Sequence, residues 1–259
     1  MTAWDLQPPL LEQQLLLHEL NHRVNNEFAS AINAVSVAAA RSGNEEVKLV
    51  MAGVVDLLHR YADVHRALQA PDIITLLDAA TYIRRLCFSI SRSKLDHKKI
   101  GLVFAASPMQ LQSDRCWRMG MIVHELITNA ARHAFAGEKG EIQVELLRVG
   151  SVIACKVQDD GSLRRQVRHG RGLKIIEMLA KTLDGRFEQK FGSLGSTSML
   201  AFPYYEGEAQ KKGHRGCVER KGQSMEFPQV DAGPPVNCQA VNRPRHKRQR
   251  VNGANSAID

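Results

Sequence analysis

Two stretches near the N-terminus repeat apolar residues at helical spacing, and this repeat limits the fold more than any other feature of the chain. Within residues 9–40 the apolar side chains recur at steps of three, four or seven, and from Asn44 to about Gln69 they step four-three-four-three. Such spacing places them along one stripe of a helix. Ser42-Gly43-Asn44 supplies a helix stop and an N-cap between the two stretches. The sequence therefore predicts an antiparallel helical hairpin.

Each predicted helix has one apolar stripe, and neither helix can bury its stripe fully against the other. The stripe residues are Leu16, Leu20, Val24, Ala31 and Val35 in the first helix and Val47, Met51, Val54, Leu58, Tyr61 and Leu68 in the second. A four-helix bundle made from two chains would bury both stripes, so we expect a homodimer. The alternative is a monomeric helical cap on the domain that follows.

After Pro71-Asp72 the chain alternates between helical and strand patterns. Helices are predicted at residues 75–91, 114–135 and 172–183, and strands at 100–105, 141–148, 152–158, 186–190 and 197–202. This order predicts an α+β fold, in which the hairpin is followed by an α/β sandwich with a mostly antiparallel sheet and helices on one face. We therefore expect a hairpin domain at residues 1–70, a second domain at 71–207 and a tail at 208–259.

The positive charge of the chain is concentrated in that tail. The net charge is +8, and residues 208–259 hold ten Lys and Arg against five Asp and Glu, whereas residues 1–207 hold 25 against 22. The tail has few apolar residues, so we expect it to be disordered and solvated. A nearly neutral body argues against a nucleic-acid-binding domain. Five scattered cysteines, no signal peptide and no membrane span predict a cytoplasmic protein.

The segment HELITNAARHAF, residues 124–135, places a carboxylate, an amide and an imidazole at helical spacing. Glu125, Asn129 and His133 are spaced i, i+4 and i+8 and share one face of the helix. A polar stripe is usually just the solvated side of a helix, so these residues alone do not identify a site. Three further boxes follow in order: Asp159-Asp160-Gly161 after a strand, Gly170-Arg171-Gly172 opening a helix, and Gly195-Ser196-Thr197 before the last strand. Because backbone N–H groups at a helix N-terminus bind phosphate, this series predicts a nucleotide site.

The segment HELNHRVNNEF, residues 18–28, places His22 on the first helix. His22 is two residues from both Leu20 and Val24, which is roughly 200° around a helix at about 100° per residue. It should therefore point to solvent. An imidazole is largely neutral at pH 7, so one ring nitrogen can act as a nucleophile. His18, one turn earlier, is the rival candidate.

At these two segments the chain resembles the HWE and closely related HisKA-2 types of bacterial sensor histidine kinase. Their acceptor segment reads roughly E-L-N-H-R-V-K-N and their nucleotide segment H-E-L-x-T-N-A-x-K, and the likeness runs from about Leu15 to Pro203. The resemblance implies an ATP-dependent kinase that autophosphorylates His22 and passes the phosphoryl group to an aspartate in the receiver domain of a separate response regulator. Glu19 and Asn26 flank His22, and either could orient the ring or take its proton.

The resemblance also implies roles for the residues of the nucleotide boxes. Asn129 would ligate Mg²⁺, and Glu125 would orient a metal-bound water. Asp159 would accept the adenine amino group, while His133 and Thr197 would lie near the phosphate and adenine ends of ATP. The glycines that would allow close approach of the backbone are Gly161, Gly170 and Gly172.

Several positions depart from the family pattern. Asn25 replaces the usual lysine, Leu163 replaces a second glycine, and the loop at residues 162–169 is short and basic. Val157-Gln158-Asp159 stands where the HWE type has Trp-x-Glu, which brings this region closer to the HisKA-2 type. These departures keep open a dimeric phosphotransfer protein or pseudokinase of the same fold, with little or no ATP turnover. An anti-sigma-type serine kinase is disfavoured because such proteins normally lack the hairpin.

About eight residues precede the first predicted helix, so we expect no sensor domain. Input would then come from a sensor protein in trans, unless the kinase is constitutive.

Overall fold

A computed structural model of the protein describes residues 8–135, 137–161, 171–193, 195–205 and 236–237. Helices α1 (Pro8–Arg41) and α2 (Glu45–Ala67) pack against each other as the predicted hairpin. Asn44 caps α2, because its side-chain oxygen accepts hydrogen bonds from the N–H groups of Glu46 and Val47 at 2.8 and 3.3 Å. The turn and the cap therefore lie where the sequence predicts them. None of the helices in the described part of the chain has the length and apolar content needed to cross a bilayer.

The second unit begins with a short strand that the sequence does not predict. Strand β1 (Leu76–Asp78) pairs antiparallel with β3 (Gln110–Gln112). Helix α3 (Ala79–Ile90) therefore starts four residues later than predicted, with Asp78 as its N-cap. A π-helical turn (Ser91–Leu95) and a 3-10 turn (Asp96–Lys98) then lead into the main sheet.

The remaining elements are β2 (Ile100–Ala106), α4 (Ser113–His133), β4 (Gly140–Val149), β5 (Val152–Asp159), α5 (Arg171–Thr182), β6 (Arg186–Gly192), β7 (Gly195–Pro203) and β8 (Val236–Asn237). Among the described residues the main sheet contains six strands, in the order β6-β7-β5-β4-β2-β8. Its strands β2 and β4 are parallel, and the other neighbours are antiparallel. The predicted fold class, helices followed by an α/β domain with a mostly antiparallel sheet, is confirmed.

One face of the sheet is buried and the other is polar. On β4, Ile142, Val144 and Leu146 are fully buried, whereas Gln143 is exposed and Glu145 forms an ion pair with Lys156 at 3.0 Å. Alternation of this kind follows from the twofold period of a strand. Helices α3, α4 and α5 contribute to the same apolar core as the buried face. The sheet therefore carries its helices on one face, as predicted.

The C-terminal end of α2 packs into the second unit. Val64 is 5% exposed and belongs to the main core. Tyr82 Oη on α3 donates to Ala67 O, and Trp117 Nε1 on α4 donates to Leu68 O, both at 2.8 Å. The hairpin is thus tied to two helices of the second unit.

Strand β8 departs from the prediction of a disordered tail. Val236–Asn237 pairs antiparallel with Val103 and Phe104 of β2 and so forms one edge of the sheet. These two residues lie inside the segment predicted as a tail, and the remainder of residues 208–259 lies outside the described residues.

Candidate functional site

Helix α4 presents the predicted polar residues to a cavity. Glu125, Asn129 and His133 all line it, as the i, i+4, i+8 spacing requires. The apolar side of α4 anchors the helix in the core, because its residues are at most 5% exposed. These are Met119, Ile122, Val123, Leu126 and Ile127.

The cavity lies between α4, α5 and the sheet. Its volume is about 310 Å³, which falls within the range of about 300–1,000 Å³ found for small-molecule sites. Arg171 and Gly172, at the N-terminus of α5, form one wall, and Asp159 with Ser196 and Ser198 forms another. The cavity thus combines a carboxylate on the sheet, a helix N-terminus and the polar face of α4.

Asp159 is the buried acid of this site. It is 3% exposed at the end of β5. Its Oδ1 accepts hydrogen bonds from the N–H groups of Gly161 and Ser196 at 3.1 and 3.3 Å, and its Oδ2 accepts one from Ser196 Oγ. A carboxylate is costly to bury without such partners. Three donors therefore hold the Asp159 carboxylate in place on the cavity wall.

Three glycines let the backbone segments of the site approach each other closely. A side chain on Gly161 would collide with the backbone of Ala134, and one on Gly195 would collide with the carbonyl of Asp159. Gly195 also has φ +116°, a conformation that favours glycine. A Cβ on Gly172 would lie 3.0 Å from Glu125 Oε2 and 3.6 Å from Asn129 Nδ2. Gly161 and Gly195 therefore bring protein segments together, and Gly172 faces the polar residues of α4.

Two predicted positions need separate comment. Gly170 lies outside the described residues. Thr197 lines a neighbouring cavity of about 350 Å³, which Asp159 also borders, whereas Ser196 and Ser198 line the main one. Successive residues of a strand point to opposite faces, so Ser196 and not Thr197 reaches the Asp159 carboxylate. The structure therefore does not bring Thr197 to the main cavity.

Two arginines line the cavity although the sequence pattern did not predict a role for either of them. Arg132, one residue before His133, lines the cavity, and so does Arg171. A basic residue at position 132 could have been predicted, because the nucleotide segment of the family ends in a lysine at the corresponding position. Both side chains add positive charge where an anionic ligand would meet the α5 N-terminus.

Glu125 is a half-buried carboxylate that is held ionised. Interaction with the His124 side chain lowers the pKa of Glu125, against burial, which raises it. Lys94 and Arg132 lower it further through their charge.

His22 lies away from this cavity, on the exposed side of α1. Its side chain is exposed, as predicted, and its ring packs edge-on against that of His18 with 4.4 Å between the centroids. Glu19 forms an ion pair with Arg23 at 3.3 Å, and Asn26 is exposed. The acceptor candidate is therefore open to a second domain or molecule.

The order of these features along the chain matches two families in succession. Residues 19–94 match the histidine kinase family HisKA_2, and residues 98–192 match the histidine kinase-like ATPase domain family HATPase_c_2. The first match contains His22, and the second contains the residues of the cavity. The chain belongs to the histidine kinase family.

Histidine kinases are also found among the relatives of this chain. Blue-light-activated histidine kinase 2 of Erythrobacter litoralis is 27% identical over 58% of this chain and 44% of its own length. Sensor histidine kinase PdtaS of Mycolicibacterium smegmatis is 26% identical over 74% of this chain and 40% of its own length. The chain thus spans less than half of either relative.

A solved structure supports the same fold. The histidine kinase domain of the Erythrobacter litoralis EL346 blue-light-activated histidine kinase superposes with a TM-score of 0.51 at 18% identity. The match covers 71% of this chain and 98% of that domain. The likeness extends over the helical and the α/β parts of a histidine kinase fold.

Proposed function

We propose that this member of the histidine kinase family is an ATP-dependent protein-histidine kinase that autophosphorylates His22. The phosphoryl group would then pass to an aspartate in the receiver domain of a separate response regulator. The observation that carries the proposal is the cavity in which Glu125, Asn129 and Asp159 face the N-terminus of α5, with an exposed histidine on a separate helical hairpin.

The cavity suits a nucleotide triphosphate. Asp159, held by three donors, has carboxylate oxygens that can accept a hydrogen bond from an adenine amino group. The N-terminus of α5 offers backbone N–H groups to phosphate, and Arg132, Arg171 and His133 line the same cavity. The adenine base of ATP would therefore contact the wall that contains Asp159, and the phosphates would contact the basic groups and the α5 N-terminus.

The donor set also fits Mg²⁺. This ion prefers oxygen ligands and usually keeps several waters, relying on one or two protein groups and the phosphates of its substrate. The side chains of Asn129 and Glu125 supply an amide oxygen and a carboxylate on one face of α4. Within the described residues no group of three or more His, Cys, Asp and Glu side chains could hold a metal by itself. We therefore propose that Asn129 ligates Mg²⁺ and that Glu125 orients a water bound to it; when bound, the ion would neutralise charge on the phosphates.

Phosphoryl transfer needs an in-line nucleophile and a route for its proton. A ring nitrogen of His22 would attack the γ-phosphorus, the bond to the β-phosphate oxygen would break, and ADP would leave. Glu19 and Asn26 remain the candidates for orienting the ring or taking its proton. Because Glu19 is engaged by Arg23 in this structure, it would have to exchange partners to reach His22.

The hairpin supports dimerisation as part of this function. Leu16 and Leu20 on α1 are 57% and 56% exposed, and Val54 on α2 is 41% exposed. Exposed apolar stripes of this kind are buried when two hairpins form a four-helix bundle. We propose a homodimer through residues 1–70, with residues 71–207 as the ATP-binding domain. A kinase of this type would act in the cytoplasm, where ATP is available. Its input would come from a sensor protein in trans, unless the kinase is constitutive.

Labelling with ATP tests the proposed function. Purified protein is incubated with [γ-³²P]ATP and Mg²⁺, and the labelled chain is then treated with acid or with alkali. We expect label that is lost in acid and retained in alkali, because phosphohistidine is acid-labile and phosphoserine is not. Acid-stable label would indicate a serine kinase instead. ATP binding without any label would indicate a pseudokinase or phosphotransfer protein.

A further inference from the structure

Behind the cavity, a lysine from the π-helical turn reaches across to α4. Lys94 Nζ lies 2.9 Å from His124 Nε2 and 3.5 Å from Thr128 Oγ1. Lys94 is half-buried and Thr128 is 7% exposed. His124 immediately precedes Glu125, and its side chain is 14% exposed. Lys94 does not line the cavity, so apart from its charge it reaches the site through the contact with His124.

The contact determines which ring nitrogen of His124 carries the proton. An ammonium group only donates hydrogen bonds, so His124 Nε2 must accept. In the neutral ring the proton then lies on Nδ1. Nδ1 is 3.7 Å from Glu125 Oε1, which is longer than a formed hydrogen bond but short enough for a direct electrostatic contact. Lys94 therefore orients the N–H of His124 toward Glu125.

The two carboxylate oxygens of Glu125 face different partners. Oε1 faces His124, whereas Oε2 points toward Gly172 at the N-terminus of α5, 3.0 Å from where a Cβ on Gly172 would lie. Oε1 thus faces the His124 ring, which does not line the cavity, and Oε2 is directed toward the cavity wall at Gly172.

We infer that Lys94 and His124 are positioning residues, which hold the Glu125 carboxylate in the orientation that phosphoryl transfer requires. The inference rests on the proposed function, because it assigns a purpose to Glu125 within that reaction. Groups that act on a metal or on its bound water are commonly oriented by neighbouring side chains that do not touch the metal themselves.

The charges around this group agree with such a role. Burial and the nearby charge of Arg132 lower the pKa of Lys94, while Glu125 raises it. Interaction with His124 lowers the pKa of Glu125. The groups that face one another here are Lys94 from the π-helical turn and His124, Glu125 and Arg132 from α4.

Lys98 provides a matched control. It lies one turn further along the same connection, and its Nζ donates to Ala131 O on α4 at 3.2 Å. Lys98 therefore also ties this connection to α4 and carries the same charge, but its bond goes to the backbone and not to His124. If Lys94 served only to attach the turn to α4, removing either amine would have similar effects.

The experiment compares the wild-type full chain with Lys94→Met, Lys94→Arg and Lys98→Met. Nitrogen-15 NMR of the histidine rings, with His124→Gln to assign the signal, reports the tautomer of His124. Autophosphorylation at several ATP concentrations gives kcat and KM.

We expect the Nδ1–H tautomer in the wild type, in Lys94→Arg and in Lys98→Met, and a mixture of tautomers in Lys94→Met. In Lys94→Met kcat should fall on the order of tenfold with KM changed less than about twofold, because the loss concerns orientation and not ATP binding.

Two results would overturn the inference. One is the same His124 tautomer in the wild type and in Lys94→Met. The other is a changed tautomer in Lys94→Met with kcat within about twofold of wild type, since that makes the contact structural only. Absence of label in the wild type would instead contradict the proposed function, and the NMR comparison would still decide whether Lys94 sets the His124 tautomer.

Discussion

At the scale of single residues, Asp159 is the group that we propose recognises the base of ATP. Its carboxylate is buried at the end of β5 and is held by Gly161 and by both the N–H and the hydroxyl of Ser196. These donors leave little freedom for the side chain to turn. A fixed acceptor on a cavity wall can discriminate one hydrogen-bond donor of a ligand from another.

We predict that Asp159→Ala weakens ATP binding by about tenfold or more, because a hydrogen bond to a charged group contributes about 1.5–3 kcal/mol. Asp160→Ala is the matched control. Asp160 is exposed, accepts a bond from the N–H of Glu141 at 2.7 Å, and does not line the cavity. Isothermal titration calorimetry with MgATP measures both variants. Equal ATP affinity for Asp159→Ala and wild type would show that the adenine pocket lies elsewhere.

The sequence predicts the residues on α4 better than those on the strands. Helical spacing places Glu125, Asn129 and His133 on one face of α4. This placement does not depend on where the helix begins and ends. On β7, a shift of one residue reverses the face of a side chain. Ser196 makes the contact with Asp159, whereas Thr197, which the resemblance assigns to the adenine end, lines the neighbouring cavity. The contact of Lys94 with His124 joins residues 30 positions apart. A local sequence pattern cannot predict a contact of this kind.

At the scale of elements, the hairpin leaves apolar surface exposed in the single chain. The predicted stripe is visible on both helices, with Leu20 of α1 56% exposed and Val47 and Tyr61 of α2 each 37% exposed. One hairpin cannot cover these residues by itself, because its two helices already pack on each other.

We predict that the full chain is a dimer in solution and that Leu20→Arg weakens or abolishes the dimer, because it places a charge in the buried seam of the bundle. Met178→Arg is the control, since Met178 is similarly exposed at 58% but lies on α5. Sedimentation or light scattering at tens of micromolar gives the mass. A wild-type monomer at that concentration would rule out the bundle.

The apolar repeat of the sequence predicts long elements well and short elements poorly. Helices α1, α2 and α4 are long enough for their apolar repeat to fix them to within a few residues. Strands β1 and β3 have three residues each, which is too short to establish a twofold repeat. They exist because they pair with each other across 32 to 36 positions of the chain. Their pairing also explains why α3 begins at Ala79.

At the scale of the whole molecule, the end of α2 links the hairpin to the unit that matches the ATPase domain family. Tyr82 and Trp117 donate to the carbonyls of Ala67 and Leu68, and Val64 is buried in the common core. The carbonyls that receive these bonds lie just before Ala70-Pro71-Asp72, the linker between the two units. The proposed transfer from the cavity to His22 would require movement between the two units, of the kind that hinges permit.

The described residues of the tail, Val236 and Asn237, have a small part in this architecture. They add only the two-residue strand β8 to the edge of the sheet. We predict that truncation after Tyr205 lowers the melting temperature by less than about 4 °C, since the loss of about 1 kcal/mol shifts a domain of this size by 2–4 °C. ATP affinity should be unchanged. Scanning calorimetry and titration measure the two quantities, and a large loss of either would mean that the tail packs on the body.

The central claim is that His22 receives the phosphoryl group from ATP bound in the cavity. The most direct measurement compares acid-labile label from [γ-³²P]ATP in the wild type, His22→Ala and His18→Ala, with calorimetric ATP binding and solution mass as controls. Alanine is tolerated well at an exposed helical position, so both variants should bind ATP and keep the wild-type mass. We predict label in the wild type and in His18→Ala, and none in His22→Ala. Label that persists in His22→Ala would contradict the assignment of His22 as the acceptor.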